Sequence, residues 1–404
     1  MKTVNTTKNK IDTEKILNYL VITLGFTIPI SVVGSNIVLA IILLLWIIDG
    51  NFYKKYKIIK NNKIIYPFII FFMVNVAGLL WTQDMKWGLH IVSKEWRMLI
   101  PLILITIVKK EYIKYYISSF LFAILLSEII SYMIFFKIIP PFLSATVYDP
   151  TPFVSHITYN PFLAFGIYLL LYFLIFEKNK DVLRNIISLF FILSMSVNMF
   201  VTGGRAGQVG YFIMITLIII QYFKEKIFKA TILLSILLPL TFYLAYNYSS
   251  IFRDRFDLSI SNIKNYNKNV NTSVSLRINF ARNSWEIIKQ HPITGVGTGD
   301  FPSEYEKINQ QLSPNMKITV QPHNMYILEM TQTGILGLLS LLYILYTQIK
   351  ISFKKNKFYQ IEQALPVLFA VIMLSDTYLL GHYTSLMFVY FSSFLYKDYN
   401  NEYQ

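Results

Sequence analysis

The sequence predicts an all-α, polytopic integral membrane protein. Of its 404 residues, 54% are hydrophobic and only 15% are charged, and the mean hydropathy is +0.48. A typical soluble domain has about 25% charged residues. Apolar segments long enough to cross a bilayer as helices recur along the chain. This composition excludes a soluble or purely structural role.

Twelve apolar segments are predicted to be transmembrane helices, because a helix crosses the bilayer core with about 20 apolar residues. The first fifteen residues are polar and lack a cleavage-site pattern, so segment 1 is expected to be retained as a helix. Segment 4 begins with polar residues, and segments 11 and 12 are joined by a short connection. The predicted segments are 16–33, 35–49, 64–81, 91–108, 113–136, 160–176, 185–202, 206–223, 227–247, 323–347, 358–380 and 382–397.

The distribution of lysine and arginine predicts the orientation of these helices. With the N-terminus in the cytoplasm, 23 of the 37 basic residues fall on short cytoplasmic segments, as the positive-inside rule requires. The net charge of +15 is then mostly a consequence of topology, and no nucleic-acid partner is predicted. The chain has no cysteine, which excludes disulfides and thiolate metal sites.

Two segments on the opposite side are long, namely residues 137–159 and 248–322. No inverted sequence repeat is apparent. The predicted organisation has three parts. These are residues 1–247 with transmembrane helices 1–9, residues 248–322 as an external loop with an amphipathic helix, and residues 323–404 with helices 10–12 and a short cytoplasmic tail.

Arg277 lies on the amphipathic helix of the external loop. At about 100° per residue, it falls in the middle of the stripe that must pack against other parts of the protein. The stripe contains Phe280, Ala281, Ser284 and Ile288, and the opposite, solvated side contains Asn279, Arg282, Glu286 and Lys289. A guanidinium pressed against protein needs an anionic or multiply accepting partner, because burying it unpaired is costly. The alternative is a structural ion pair.

Arg205 lies in a short glycine-rich turn, T-G-G-R-A-G at residues 202–207, between segments 7 and 8. So short a turn places the arginine at the membrane edge, and glycines such as Gly204 allow backbone N–H groups to approach a ligand. The lysine and hydroxyl residue of a P-loop are missing. The alternative is an interfacial arginine that pairs with phospholipid headgroups.

His323 opens segment 10 directly after Pro322. The start of a helix favours an anion, and a neutral imidazole can accept a proton from a sugar hydroxyl. Asn324 and Glu329 follow on the same segment and are predicted to contact substrate. Arg97, at the outer start of segment 4, is predicted as a further phosphate contact, with snorkelling at the interface as the alternative.

No metal or other cofactor is predicted. The external carboxylates Asp254 and Asp257 are flanked by Arg253 and Arg255, which offset their charge, and no histidine or carboxylate cluster has ligand spacing. Two arginines can neutralise a pyrophosphate leaving group without a metal ion.

Three motifs carry a resemblance to a known family. They are G-G-R-A-G at 203–207, S-L-R at 275–277 followed by H-P-I-T-G-V-G-T-G-D-F at 291–301, and P-H-N-M-Y-I-L-E at 322–329. In this order, and with an external loop between helices 9 and 10, they resemble the O-antigen ligase and O-antigen polymerase superfamily. The likeness covers nearly the whole chain.

The resemblance implies a metal-independent, inverting glycosyltransferase of the membrane-embedded GT-C type in the bacterial inner membrane. Such an enzyme takes a glycan from undecaprenyl pyrophosphate and joins it to an acceptor hydroxyl on the periplasmic side. In the ligase branch, which the chain length and the external loop favour, the acceptor is the lipid A–core of lipopolysaccharide. The family arginines that hold the pyrophosphate match Arg205 and Arg277, and the family histidine matches His323.

Three alternatives stay open at this point. A polymerase would join lipid-linked repeat units, and a third branch transfers glycan to protein but usually has a longer periplasmic C-terminal part. A transporter of lipid-linked oligosaccharide would need charged or broken helices near the midplane. The one obvious mid-span acid is Glu128 in segment 5, whereas the candidate residues crowd the outer face. This distribution favours chemistry at the surface over passage.

Overall fold

A computed structural model describes residues 13–177, 181–264, 271–354 and 356–399. Within these ranges the chain is helical, and the one β-bridge is an isolated pair between Thr146 and Asp149. The remaining residues, which include Lys2, Lys8 and Lys10 used to predict the orientation, lie outside the described part. The α-helices are α1 (Thr13–Thr27), α2 (Val32–Ile48), α3 (Phe52–Asn61), α4 (Ile65–Ala77), α5 (Met85–Glu95), α6 (Ile100–Ile107), α7 (Ile113–Phe135), α8 (His156–Phe176), α9 (Val182–Val201), α10 (Arg205–Phe223), α11 (Ile227–Tyr248), α12 (Ser250–Lys264), α13 (Ser273–Gln290), α14 (Phe301–Leu312), α15 (Met325–Gln332), α16 (Gly334–Ser352), α17 (Tyr359–Ile372) and α18 (His382–Leu395).

Six of the described helices are long and apolar enough to cross a membrane alone: α7, α8, α9, α10, α11 and α16. A seventh candidate is the pair α2 and α3, which is bent by 116° at residues 49–51. The prediction of an all-helical, multi-span membrane protein is therefore confirmed in this coarser form. The count of twelve spans stays a prediction.

Two predicted single helices are divided in the structure. Segment 4 consists of the end of α5, a 3-10 turn at Trp96–Leu99 and the eight-residue α6. Pro101, at the start of α6, has no N–H with which to continue the hydrogen-bond ladder of the preceding turn. Segment 10 is divided into α15 and α16 at Gly334, whose φ is +66°. A Cβ at Gly334 would lie 2.2 Å from the carbonyl oxygen of Ile293, so only glycine allows this approach.

The buried centre of the helical bundle is α8, which packs against α7, α9, α10 and α17. The side chains of α8 are mostly apolar on every side of the helix, as expected of a helix with no face towards solvent. The Tyr168 hydroxyl group donates to Gln221 of α10 at 2.6 Å and to the Gln360 carbonyl of α17 at 2.8 Å. These bonds join three helices at one end of the bundle.

The region predicted to be external folds as α12, α13 and α14 over the start of α15. Phe280, Ser284 and Ile288 are buried, as the helical wheel predicts. The wheel was wrong for Asn279, which is buried and donates to the Tyr305 hydroxyl group at 3.1 Å. The reason is that α14 covers one side of α13 while α15 covers another, which buries Asn279 and leaves Arg282 and Lys289 exposed.

The helices α10 and α17 define two ends of the bundle. At the loop end, which carries α12–α14, α10 begins and α17 finishes, and the Met373 carbonyl accepts from the Met325 N–H at 2.9 Å. At the other end, termed the α3 end, Gln221 near the C-terminus of α10 donates to Gln360 near the start of α17 at 3.2 Å. The 19 residues of α10 separate the two ends by about 28 Å at 1.5 Å per residue.

Candidate functional site

A cavity of about 260 Å³ lies at the loop end of the bundle. Its walls are formed by the starts of α8, α10 and α13, by α12, and by the connection between α17 and α18. Three arginines from three different helices line it, namely Arg205, Arg255 and Arg277. The structure therefore brings together the two arginines that the sequence singled out, although they are 72 residues apart, and adds a third. We refer to it as the arginine cavity.

Arg205 is the first residue of α10, and its guanidinium is oriented by two hydroxyl groups. It donates to Ser259 of α12 at 2.7 Å and to Ser273 of α13 at 2.8 Å. The turn before it is held by the Thr202 hydroxyl, which donates to Asn160 of α8 at 2.7 Å. Because both ends of the side chain are held, the charge of Arg205 is positioned without an ion pair.

The glycines around Arg205 have a packing role. A Cβ at Gly204 would lie 2.4 Å from the His156 carbonyl oxygen, and a Cβ at Gly207 would lie 2.3 Å from the Cβ of Asn160. The start of α10 therefore touches the start of α8 along a surface that only glycines permit. Gly204 lines the arginine cavity as well. Its predicted contact with substrate stays a prediction, because packing alone already requires a glycine here.

Arg277 lies in the second turn of α13 and reaches the arginine cavity. Its Nε is buried and has no hydrogen-bond partner. No carboxylate of the described residues lies within ion-pair distance of it, so the alternative of a structural ion pair is not observed there. An unpartnered buried N–H costs about 1–3 kcal/mol, and an anion in the adjoining cavity would remove that cost.

Arg255 was missed as a site residue. The sequence suggested that it offsets the charge of Asp254 and Asp257, but Asp257 accepts from the Tyr246 hydroxyl at 2.9 Å. The guanidinium of Arg255 instead lies on Gly203, where an added Cβ would be 2.8 Å from its terminal nitrogen. The contact between Arg255 and Gly203 depends on how α12 packs over the start of α10. The apolar periodicity of the sequence does not predict this packing.

His323 lies behind the arginine cavity and is connected to it through Asp376. Its Nδ1 is 3.2 Å from Oδ1 of Asp376, which itself lines the cavity. The imidazole stacks on Phe280 of α13 with ring centroids 5.8 Å apart. The backbone φ of His323 is +50°, a left-handed conformation that costs a non-glycine residue energy. The surrounding contacts hold the ring in place despite this cost.

Asp376 is the second residue that sequence reasoning missed. It lies in the non-helical connection between α17 and α18 and accepts from the Thr377 N–H at 2.8 Å. Burial raises the pKa of Asp376, but the hydrogen bond and charge of His323, together with the charge of Arg277, outweigh burial and leave this pKa below its ordinary value. The carboxylate is therefore ionised at neutral pH. An ionised carboxylate is an acceptor for Nδ1–H of His323, and in a neutral imidazole that bond leaves the lone pair of Nε2 free.

Asn324 has a structural role. Its side-chain oxygen caps α15 by accepting from the Ile327 N–H at 3.1 Å, and its amide donates to the Leu374 carbonyl at 3.0 Å. These bonds attach the start of α15 to the connection that carries Asp376. Both polar atoms of the side chain thus help to position the start of α15, and direct contact with substrate stays a prediction.

Glu329 and Arg97 are not among the residues that line the arginine cavity. Glu329 is fully buried and accepts from Asn75 at 3.2 Å. Arg97 is 7% exposed and donates to Ser385 at 2.6 Å and to the Leu380 carbonyl at 2.9 Å. Neither an outer phosphate contact nor snorkelling describes Arg97, because the 3-10 turn after α5 directs it against the start of α18.

Among the described residues, no group of three or more histidine and carboxylate side chains is placed to hold a metal ion. The metal independence expected from the resemblance stays a prediction. The charged and titratable groups at the arginine cavity are thus its three arginines, the adjoining His323 and the Asp376 carboxylate that orients this histidine.

Comparison with known proteins gives one result that bears on this site. Residues 189–342 match the family model described as O-Antigen ligase. The matched range is less than half of the chain and contains Arg205, Arg255, Arg277 and His323, whereas Asp376 follows it. No curated protein matches the chain. Residues 189–342 are therefore similar to the O-antigen ligase family, which confirms the predicted resemblance to the O-antigen ligase and polymerase superfamily over this range.

Proposed function

We propose that the protein is a glycosyltransferase that moves a glycan from undecaprenyl pyrophosphate to a hydroxyl group of lipid A–core, on the periplasmic side of the inner membrane. One observation carries the proposal. Three arginines line a single cavity, and an Asp–His pair adjoins it, with the arginines and the histidine inside the segment that matches the O-antigen ligase family.

The arginines account for the leaving group. A pyrophosphate carries several negative charges, and guanidinium groups bind phosphate oxygens through two parallel N–H donors. As the bond between the sugar and the pyrophosphate breaks, negative charge grows on the departing oxygen. Arg205, Arg255 and Arg277 are charged before the reaction begins, so they stabilise this charge without reorganising. The unpartnered Nε of Arg277 supplies a donor that no protein group uses.

His323 accounts for the acceptor. The acceptor oxygen attacks the anomeric carbon from the face opposite the pyrophosphate, and the new C–O bond forms as the old one breaks. The hydroxyl proton passes to Nε2 of His323, and the anomeric configuration inverts. Asp376 stabilises the imidazolium that results, since it bonds to Nδ1 at 3.2 Å.

The surroundings of the cavity suit a donor that is a lipid. The helices α9 and α11 adjoin it through the glycine turn and α12, and both expose apolar side chains along their length, such as Leu193 and Val197 on α9 and Ile236 and Leu240 on α11. A polyprenyl chain lying on this surface would place its pyrophosphate beside the arginines at the loop end.

The proposal is tested by transfer in vitro with the purified full-length protein. The substrates are an undecaprenyl-pyrophosphate glycan and lipid A–core, with a chelator present. Glycosylated lipid A–core is expected from the parent, and a loss of at least about 100-fold from Arg277→Gln and from His323→Ala. The matched control is Arg282→Gln, an exposed arginine on the same helix, which should act like the parent.

Three outcomes count against the proposal in different ways. Longer lipid-linked glycan in place of glycosylated lipid A–core would make the protein a polymerase that uses the same residues. Activity that the chelator abolishes and a divalent cation restores would contradict the metal-independent mechanism. No transfer to either acceptor would refute the assignment as a transferase.

A further inference from the structure

A second cavity, of about 410 Å³, lies at the α3 end of the bundle, about 28 Å from the loop end. It is enclosed by the start of α4, the turn before α7, the C-terminus of α16, the start of α17 and the end of α18. Six lysines line it, and we refer to it as the lysine cavity. They are Lys63, Lys110, Lys350, Lys354, Lys357 and Lys397.

Two of these lysines are engaged by the protein itself. The ammonium of Lys357 is 3.6 Å from the Glu177 carboxylate, and that of Lys397 donates to the Val108 carbonyl at 2.6 Å. The cavity also contains two carboxylates, on Glu362 and Asp398. Glu362 is buried and accepts a hydrogen bond from Asn356, and Asp398 lies near the described C-terminus.

The other four lysines form no ion pair in the described part of the chain. Lys63, Lys110, Lys350 and Lys354 are exposed and line the cavity. They come from three separate parts of the chain, namely the connection before α4, the turn before α7 and the end of α16 with the residues after it, so the fold brings together like charges that are distant in sequence. An excess of lysine at this end follows from membrane topology. Topology does not explain why the lysines converge on one cavity, whereas a bound anion would offset their repulsion.

The cavity continues into an apolar surface on α4 and α16, which pack against each other. On α4 the side chains Tyr66, Ile70 and Met73 are each more than 40% exposed, and they share one helical face by their spacing. On α16 the stripe is formed by Leu339, Tyr343 and Tyr346, and each of them is at least 40% exposed. Tyr66, Tyr343 and Tyr346 also line the cavity, so the charged and apolar parts are continuous.

We propose that the lysine cavity binds the phosphate of an anionic phospholipid, whose acyl chains lie along the apolar stripe of α4 and α16. Basic pockets between transmembrane helices bind anionic headgroups in this way. A free phosphate would use the lysines but not the stripe, which is why the lipid is favoured as the source of the anion. This site is independent of the transfer reaction proposed above, because it lies at the opposite end of the bundle.

The test measures lipid binding to the full-length protein in neutral detergent by native mass spectrometry. The probes are phosphatidylglycerol, phosphatidylcholine and glycerol 1-phosphate. Lys350→Gln/Lys354→Gln is expected to bind phosphatidylglycerol about 30-fold more weakly than the parent, from about a fivefold contribution of each lysine. The matched control is Lys226→Gln/Lys229→Gln, which removes two exposed charges from the same end outside the cavity and should bind like the parent.

A second variant distinguishes a loss of lipid binding from a folding defect of the double variant. Lys110→Gln is exposed, lies on a different connection, and should weaken binding about fivefold. Equal losses in the cavity and control pairs would show diffuse charge attraction and overturn the proposal. Glycerol 1-phosphate binding as tightly as phosphatidylglycerol would show a soluble phosphate as the ligand and would overturn it too. Equal binding of phosphatidylcholine and phosphatidylglycerol by the parent would do the same.

Discussion

Replacing Asp376 with asparagine should slow the reaction without weakening the binding of acceptor. Asp376 reaches the reacting atoms only through His323, whose Nδ1 lies 3.2 Å from its carboxylate. Asparagine keeps the size of the side chain but removes its charge. The amide oxygen can still accept from Nδ1–H of His323 and from the Thr377 N–H, so the variant keeps the hydrogen bond and loses the negative charge that stabilises the imidazolium. The imidazole would then be a weaker base for the proton of the acceptor hydroxyl.

The magnitude follows from the geometry of this pair. A hydrogen bond to a charged group contributes about 1.5–3 kcal/mol. The His323 and Asp376 side chains are 31% and 16% exposed and their bond is long, so the lower part of that range, about 1.5–2 kcal/mol, applies. Since each 1.36 kcal/mol is a factor of ten in rate, kcat should fall about 10- to 30-fold.

The assay is the initial rate of glycan transfer over a range of acceptor concentrations, which gives kcat and KM separately. The loss should be in kcat, and Asp376→Glu should recover part of it because it restores the carboxylate. Asp254→Asn, which removes an exposed carboxylate from α12, is the control and should have the kcat of the parent. A kcat for Asp376→Asn within threefold of the parent, or a loss confined to KM, would refute the role given to this pair.

Three further predictions concern the same end of the molecule. Arg255→Gln should lower kcat/KM about tenfold or more, because it removes a cation from the arginine cavity. The control is Arg253→Gln, which changes an exposed neighbour outside the cavity and should leave kcat/KM unchanged. Equal kinetics for both variants would show that Arg255 is not part of the site. Gly204→Ala should destabilise the protein by about 1–3 kcal/mol, because its Cβ would lie 2.4 Å from a carbonyl oxygen of α8, whereas Gly34→Ala, whose nearest neighbour is a side chain at 3.3 Å, should unfold near the parent temperature. An unchanged Tm for Gly204→Ala would contradict the packing argument. Finally, because the native pKa of Asp376 is lowered, its contribution to stability is complete above its unfolded value of about 3.9 and is lost as pH falls through the native value. Thermal unfolding should therefore show a lower Tm for Asp376→Asn at pH 7 and a shrinking difference below about pH 4, and a difference that is constant with pH would disprove the ionised pair.

Local signals in the sequence were sufficient for the class of the protein, and they singled out three residues that the fold brings close to one another. Hydropathy predicted a multi-span helical bundle, since a bilayer requires apolar helices whatever their packing. Arg205, Arg277 and His323 each lie beside a recognisable local feature, namely a glycine turn, an amphipathic stripe and the start of a helix. All three are found at or directly behind the arginine cavity.

Three of the predicted substrate contacts do not line the arginine cavity, for an identifiable reason. Arg97, Asn324 and Glu329 were assigned to substrate from their position near predicted helix ends. In the structure, segment 4 is broken before Pro101 and segment 10 is broken at Gly334, so α6 and α15 are short separate helices. Arg97 and Glu329 are therefore buried, whereas unbroken helices would place them near the surface. Such breaks depend on contacts with distant backbone, as between Gly334 and Ile293, and hydropathy does not register them.

What the sequence by itself determined is therefore the multi-span membrane class and the similarity of residues 189–342 to the O-antigen ligase family. The tertiary structure alone decided which charges meet. It placed Arg255 over Gly203 and Asp376 beside His323, across 52 and 53 residues of chain, and it gathered four unpaired lysines around a cavity at the opposite end. The physical reason is that the period of a helix specifies which face of that helix is apolar, whereas the meeting of two side chains from different helices depends on how those helices pack.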